Sequence, residues 1–438
     1  MTFRLHLALA LFALTALPLH ATEAPLSLSA AIREALTRNP DAVLARHRID
    51  RAGAIVMQAD ALVWPSLTFR SGYQRTDNPV GVFGAALNQS AFSPGLNFNN
   101  VPDADNLNIA GVVTVPVYTG GQVSAERKAA AESRAAETHT LAAVQNQLAF
   151  EVVRSFFTIR KTRAFVAAAR AAVGGFEENL EIARKRFEGG KALRADVLDL
   201  EVRLAQSRED LVQARNADAL ARRALAHLLG RETELIEITE ATPATQPPSG
   251  DTQSLRPETA ALYRRKLAAE AAVKSALSGF LPKVSAFATA EHNHGWKFNN
   301  GGNNYTAGLL LNWKLWDGHL TRGKVAEARA EADFVNEQQR RLRLAIEFEI
   351  QQAKLQLETS EERVEVTRKA VELAAESVQL TRVRFEQGLA LATQLIDAET
   401  ALTGARVREA QADADRHIAV AALRKALGLP QLEADAQP

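Results

Sequence analysis

The sequence predicts a mainly α-helical fold whose few strands belong to a membrane β-barrel shared among several chains. Three observations predict it. The chain is written twice, each copy holds two segments that alternate with a strand period, and each copy then enters a helical stretch too long for a compact core. Composition removes the competing classes. The 438 residues carry 52 Lys+Arg against 51 Asp+Glu, a net charge of +1. A basic nucleic-acid binder or an acidic disordered tail is thereby excluded as the main identity. Hydrophobic residues at 47% and charged residues at 24% read as globular. There is no cysteine, which removes disulfides, thiolate metal sites, Cys nucleophiles and a lipid anchor on an N-terminal Cys.

The first element is at the N-terminus. Arg4 supplies a positive start, Leu5 to Leu19 is apolar apart from His6 and Thr15, and Pro18 breaks the run. This reads as a secretory signal peptide over 1–21, with cleavage near Ala21 or Ala24 and a mature chain outside the cytoplasm. No other continuous apolar run occurs, so a polytopic helical membrane protein is excluded.

The repeat comes next. Val115 to Gly230 aligns without gaps with Trp313 to Gly428 at an offset of 198. Arg184, Arg186, Phe187, Glu188, Gly190, Leu193, Asp199 and Glu201 match Arg382, Arg384, Phe385, Glu386, Gly388, Leu391, Asp397 and Glu399. Upstream, Pro40 matches Pro257 and Pro65 matches Pro282 at an offset of 217. The first unit therefore contains a 19-residue insertion between positions 65 and 115. The units are expected at 22–238 and 256–429, joined by a Pro-containing linker at 239–255 and followed by a tail at 430–438.

Each unit follows one plan. A helix over about 29–62, with Ser29 as its N-cap, ends before Pro65; its counterpart spans about 257–280. Leu67, Phe69, Ser71 and Tyr73 then alternate with Thr68, Arg70, Gly72 and Gln74, and a return strand runs over Leu107 to Val115. In the second unit Tyr305 to Trp313 alternates strongly and 284–291 weakly, so strands are expected over about 66–115 and 283–315. Residues 75–106 and 292–304 read as Asn- and Gly-rich loops between strands. Long helical stretches follow over about 120–230 and 318–428. Gln122 to Glu188 alone has no proline and would reach on the order of 100 Å. Phe176, Leu180, Ala183 and Phe187, and Val197, Leu200, Leu204 and Leu211, have the seam spacings of packed antiparallel helices. Gly189-Gly190 and Gly388 punctuate the stretches and allow a hairpin tip.

Four strands cannot close a barrel alone, and an open edge is forbidden in lipid. Closure requires several chains: two, three or four copies give eight, twelve or sixteen strands. Tyr73, Tyr305 and Trp313 are candidate interfacial aromatics.

The residues also carry a resemblance. Leu26 to Leu36 followed by Asn39-Pro40, and the two tips Arg186-Phe187-Glu188-Gly189-Gly190 through Asp199 and Arg384-Phe385-Glu386-Gln387-Gly388 through Ala398, resemble the TolC family of outer-membrane efflux proteins over essentially all of 26–429. The resemblance implies a homotrimer with a twelve-stranded outer-membrane β-barrel above a twelve-helix periplasmic α-barrel. It implies a periplasmic adaptor and an inner-membrane pump as partners, passive export gated at the helix tips, and, in some relatives, protein secretion through the same body. In this family acidic residues just after the second tip gate the pore. The later position is Asp397 and the earlier falls on Gln394; Asp196 and Asp199 occupy the matching places in the first unit. The tip residues Gly189, Gly190, Leu193, Val197, Leu198, Gly388, Leu391 and Leu395 are the candidates for adaptor contact. No nucleotide, zinc-protease or hydrolase motif occurs, so neither enzymatic activity nor a cofactor is expected. His292 and His294 read as solvated loop residues. A periplasmic adaptor would need a single tip and a lipoyl-like module, and a purely structural coiled coil would lack the alternating strands.

Overall fold

The computed structural model describes residues 25–95, 97, 99–232, 236–240, 247–248 and 256–431. The expected signal peptide, most of the linker and most of the C-terminal tail lie outside the described residues. The elements are α1 Leu28–Arg38, α2 Pro40–Ala61, β1 Ser66–Thr76, α3 Pro79–Asn88, β2 Ala104–Tyr118, α4 Gln122–Glu188 and α5 Arg194–Leu228, then α6 Pro257–Leu277, β3 Lys283–Gly295, β4 Asn300–Asn312, α7 Leu320–Glu386 and α8 Ala392–Ala426.

The opening helix differs from the expectation in two ways. Its N-cap is Ser27, whose hydroxyl accepts from the Ala30 N–H, and not Ser29. It is also two helices. Proline disfavours helical dihedrals at the residue before it, and Asn39 sits at ψ 132°. Asn39 then caps α2 by accepting from Asp41 N–H at 2.8 Å and donates to Leu228 O at 2.9 Å, pinning the kink to the end of α5.

The four strands form one antiparallel meander, β1-β2-β3-β4. Register puts Leu67, Phe69, Tyr73, Ile109, Val113, Ala288, Tyr305 and Leu309 on one face and Arg70, Gln74, Asn106, Asn108, Glu291, Asn293 and Thr306 on the other. The apolar face is bare: Tyr305 is 86% exposed and Leu309 74%. The polar face is internally bonded, with Asn106 and Asn108 donating to Asn293 and Asn108 also to Glu291. Pro116 cannot donate to a ladder, and the β2–β3 register shifts between Pro116 and Tyr118. The second hairpin is tighter than expected. β3 runs to Gly295 and β4 restarts at Asn300, so His292 and His294 are strand residues. The insertion in the first hairpin is not simply loop: it contains α3.

The helices form a second layer. α4 and α7 each have 67 residues and α5 and α8 each have 35. Each long rod spans about 100 Å. Its lower half is matched by the returning helix, α5 on α4 and α8 on α7, and its upper half packs on α6, which lies between the two rods. A core of Leu28, Ile32, Val152, Phe156, Phe157, Leu225 and Ile238 joins α1, α4 and α5 at mid-height. There Arg231 grips Glu34 through two hydrogen bonds of 2.8 and 2.9 Å, which with the Arg38 charge hold the Glu34 carboxyl below its ordinary pKa. Among the described residues no helix is long and apolar enough to cross a membrane.

Candidate functional site

The two helix tips are built alike. α4 ends where Gly190 takes φ +68°, and α7 where Gly388 takes φ +83°; this left-handed turn strains any residue with a Cβ. Lys191 N–H reaches back to Arg186 O, and Leu389 N–H to Arg384 O, both at 2.7 Å, satisfying carbonyls that the helix end would orphan. Each returning helix begins with one backward cap: Asp196 Oδ2 accepts from Leu193 N–H at 3.0 Å, and Gln394 Oε1 from Leu391 N–H at 3.1 Å. Asp196 and Gln394, two of the four residues expected at a gate, are thus tied to their own helix starts. Gln in place of a carboxylate preserves that cap. Asp199 and Asp397, three residues further on, are exposed.

Between the tips is an apolar core of Phe176, Leu180, Ala183, Val197, Leu200, Phe385 and Leu395. Val197 and Leu395 are therefore core residues, 8% and 0% exposed, and not surface anchors as expected. Of the candidates, Leu193, Leu198 and Leu391 are exposed, and the structure adds Leu389 at 65% exposure, which the pattern did not single out, and Phe187 at 40%, whose spacing predicts a place in the helix seam. Phe385 of the second tip inserts beside the first. The Arg186 guanidinium lies 4.9 Å from its ring centre and donates to its carbonyl and to Lys191 O.

The repeat places one ion pair in each hairpin, with different outcomes. Arg184–Glu201 joins α4 to α5 at 2.5 Å with side chains 55% and 40% exposed. Its counterpart, Arg382–Glu399, joins α7 to α8 at 2.8 Å with Glu399 only 6% exposed. Asn179 of α4, fully buried, donates to Glu399 at 3.1 Å, and Arg382 also reaches Glu178 of α4. Burial works against the Arg382 charge, but the hydrogen bonds and charges of Glu399 and Glu178 outweigh it and raise its pKa. Gly175 makes room: a Cβ there would stand 3.1 Å from the Glu399 carboxylate. The result is a polar tie across the two repeats, just above the tips. Sequence reasoning aligned Arg382 and Glu399 without identifying them as a site; the signal was the Arg-x16-Glu spacing present in both units.

Comparisons with known proteins match this architecture. The sequence profile of the outer membrane efflux protein family fits residues 31–231 and 251–429, one segment per repeat. Outer membrane efflux protein BepC of Brucella suis biovar 1 is 23% identical over 209 residues, 48% of this chain and 42% of the relative. The aligned stretch thus spans less than half of that protein. Among solved structures, the outer membrane protein VceC from Vibrio cholerae superposes with a TM-score of 0.79 at 20% identity, covering 92% of this chain and 97% of that one. The outer-membrane channel OprN superposes with a TM-score of 0.78 at 20% identity, covering 92% and 90%. With the profile covering both repeats, the chain belongs to the outer membrane efflux protein family.

Proposed function

We propose that three copies of the chain close into an outer-membrane exit channel that conducts cargo passively from a periplasmic adaptor and an inner-membrane pump. The observation that carries this reading is a matched pair of open edges. β1 and α2 end one side of the chain, β4 and α7 the other. Both sides leave apolar side chains bare: Leu44, Val202 and Val212 on α2 and α5, and Phe348, Leu355 and Val366 on α7. A contact between two different edges of one chain is head-to-tail, and copies so joined close into a ring when the rotation between neighbours divides a full turn. Four strands per chain and four helices at each height give twelve of each in a trimer. Two copies would give eight strands, and an eight-stranded barrel has room for its own side chains or one small ligand, not for an open conduit.

In this assembly Asp397 rings the periplasmic mouth in three copies, with Asp199 at the matching place of the first repeat. Leu193, Leu198, Leu389 and Leu391 present the apolar contact for the adaptor at the tips. The test is isolation from membranes. A heat-modifiable trimer in the outer-membrane fraction is expected. A monodisperse single-copy particle with no affinity for detergent micelles would reject the channel. For the gate, Asp397→Asn is expected to lower cation selectivity in planar bilayers, and unchanged selectivity would remove Asp397 from that role.

A further inference from the structure

We infer that α3 of each chain stands inside the barrel and that three copies meet there to form an apolar constriction at the outward mouth. The inference rests on the trimeric barrel proposed above and adds a second closure, far from the helix tips. α3 occurs only in the first repeat, within its 19-residue insertion. Asn78 caps it by accepting from the Val80 and Gly81 N–H groups. Its position is fixed by contacts to the polar face of the sheet. Gln89, fully buried at its C-cap, donates to Asp105 O at 2.6 Å and to Asn106 Oδ1 at 2.9 Å. Asn300 donates to Ser90 O at 2.9 Å. Two glycines of the wall admit the helix end: a Cβ on Gly295 would fall 2.1 Å from Gln89 Oε1, and one on Gly302 2.3 Å from Asn88 O. Asn106, Gly295 and Gly302 all lie on the face that carries Asn108 and Glu291. In a membrane barrel the opposite, apolar face must meet lipid, so this face lines the bore.

The wall side of α3 buries Val82, Ala85 and Ala86. Its other side presents Val80 at 80% and Leu87 at 49% exposure, seven residues apart on one helical stripe that faces away from the wall, while Phe83 between them packs edge-on against Phe92 with ring centres 6.3 Å apart. Val80 and Leu87, aimed into a water-filled bore, call for a partner, and the space available identifies it. Twelve strands about 4.8 Å apart and tilted about 40° place opposite backbones roughly 24 Å apart, and Gly295 and Gly302 leave the wall without side chains where the end of α3 meets it. Three helices about 10 Å thick, one per chain, span roughly 21 Å when they touch. The stripes of three α3 helices therefore meet at the axis, and the occupant of each is the same stripe of the other two copies. An apolar constriction of this kind closes by dewetting.

The absence of cysteine makes the test clean. Leu87→Cys and Val80→Cys are each introduced into the full chain, and the outer-membrane trimer is oxidised. Three thiols around an axis can form only one disulfide. The expected product, after boiling without reductant, is about two thirds of the chains as dimer and the rest as monomer with a free thiol. Leu309→Cys, on the lipid face, should remain monomeric. A trimer in which neither variant cross-links, or in which Leu309→Cys cross-links equally, overturns the constriction and leaves the channel standing. Failure to isolate any trimer overturns both.

Discussion

Two single residues have effects that can be separated by experiment. His417 of α8 stacks on Phe157 of α4, with ring centres 4.3 Å apart and planes 6° apart, and its Nδ1 is buried without a partner. Burial lowers its pKa below 6.5, and Arg416 on its own helix and Arg160 of α4 push the same way against Asp413. The folded state therefore holds the imidazole neutral while the unfolded chain protonates it first. The stability tied to this burial is full above pH 6.5 and declines as pH falls below it, until the folded pKa is passed. His417→Phe keeps the stack and should flatten that decline in melting curves from pH 7.5 to 5; an unchanged acid slope would assign the pH dependence to other groups. The second residue is Arg382. Arg382→Ala leaves the Glu399 carboxylate buried and without its main counter-charge, a loss of about 3 kcal/mol or more. Arg184→Ala breaks the equivalent but exposed pair and should cost at most about 1 kcal/mol. Denaturant titration of the two variants compares them directly, and equal losses would show that burial of Glu399 does not govern the tie.

At the scale of elements, the rods were legible because nothing in 122–188 or 320–386 breaks a helix, and their ends because Gly190 and Gly388 adopt dihedrals that few other residues tolerate. The strand faces were legible from the alternation beginning at Leu67. What escaped had physical reasons. α3 contains Gly81 and Gly84 and lies among Asn and Pro, a composition that disfavours helix; it is held by Gln89 and by contacts with β3 and β4 about 200 residues away, which no local pattern encodes. β3 and β4 extend through His, Asn and Gly because ladder partners across the hairpin override weak strand propensity. The same local reasoning could not separate Leu193, which is exposed, from Val197, which is buried, because both lie on one amphipathic turn. Gly302→Val places a side chain where Asn88 O now sits and should release α3 from the wall. Protease added outside intact cells should then cleave within 77–103 faster than in the unaltered channel, and equal resistance would show that the wall contact does not hold α3.

For the whole molecule the decisive property is that a single chain is unfinished on both sides. The bare residues of α7 are regularly placed: Phe348 and Leu355 are seven apart, as are Val366, Leu373 and Leu380, the repeat of a helix seam that awaits a partner. Ile346, Ala353 and Leu357, turned to the other side, are already buried within the chain. A substitution on the bare stripe should therefore spare the fold of the chain and damage only its assembly. Phe348→Glu puts a charge into a seam that must exclude water, and burying an unpaired carboxylate costs several kcal/mol at each of three identical contacts. In the proposed ring these losses act together, and the trimer should give way to monomers with unchanged helix content by circular dichroism. Val378→Glu, at a residue only 6% exposed, should instead reduce helix content and yield together, since there the charge enters the chain's own core. A Phe348→Glu protein that still runs as a trimer on unheated gels would place the seam elsewhere and remove the head-to-tail closure on which the channel depends.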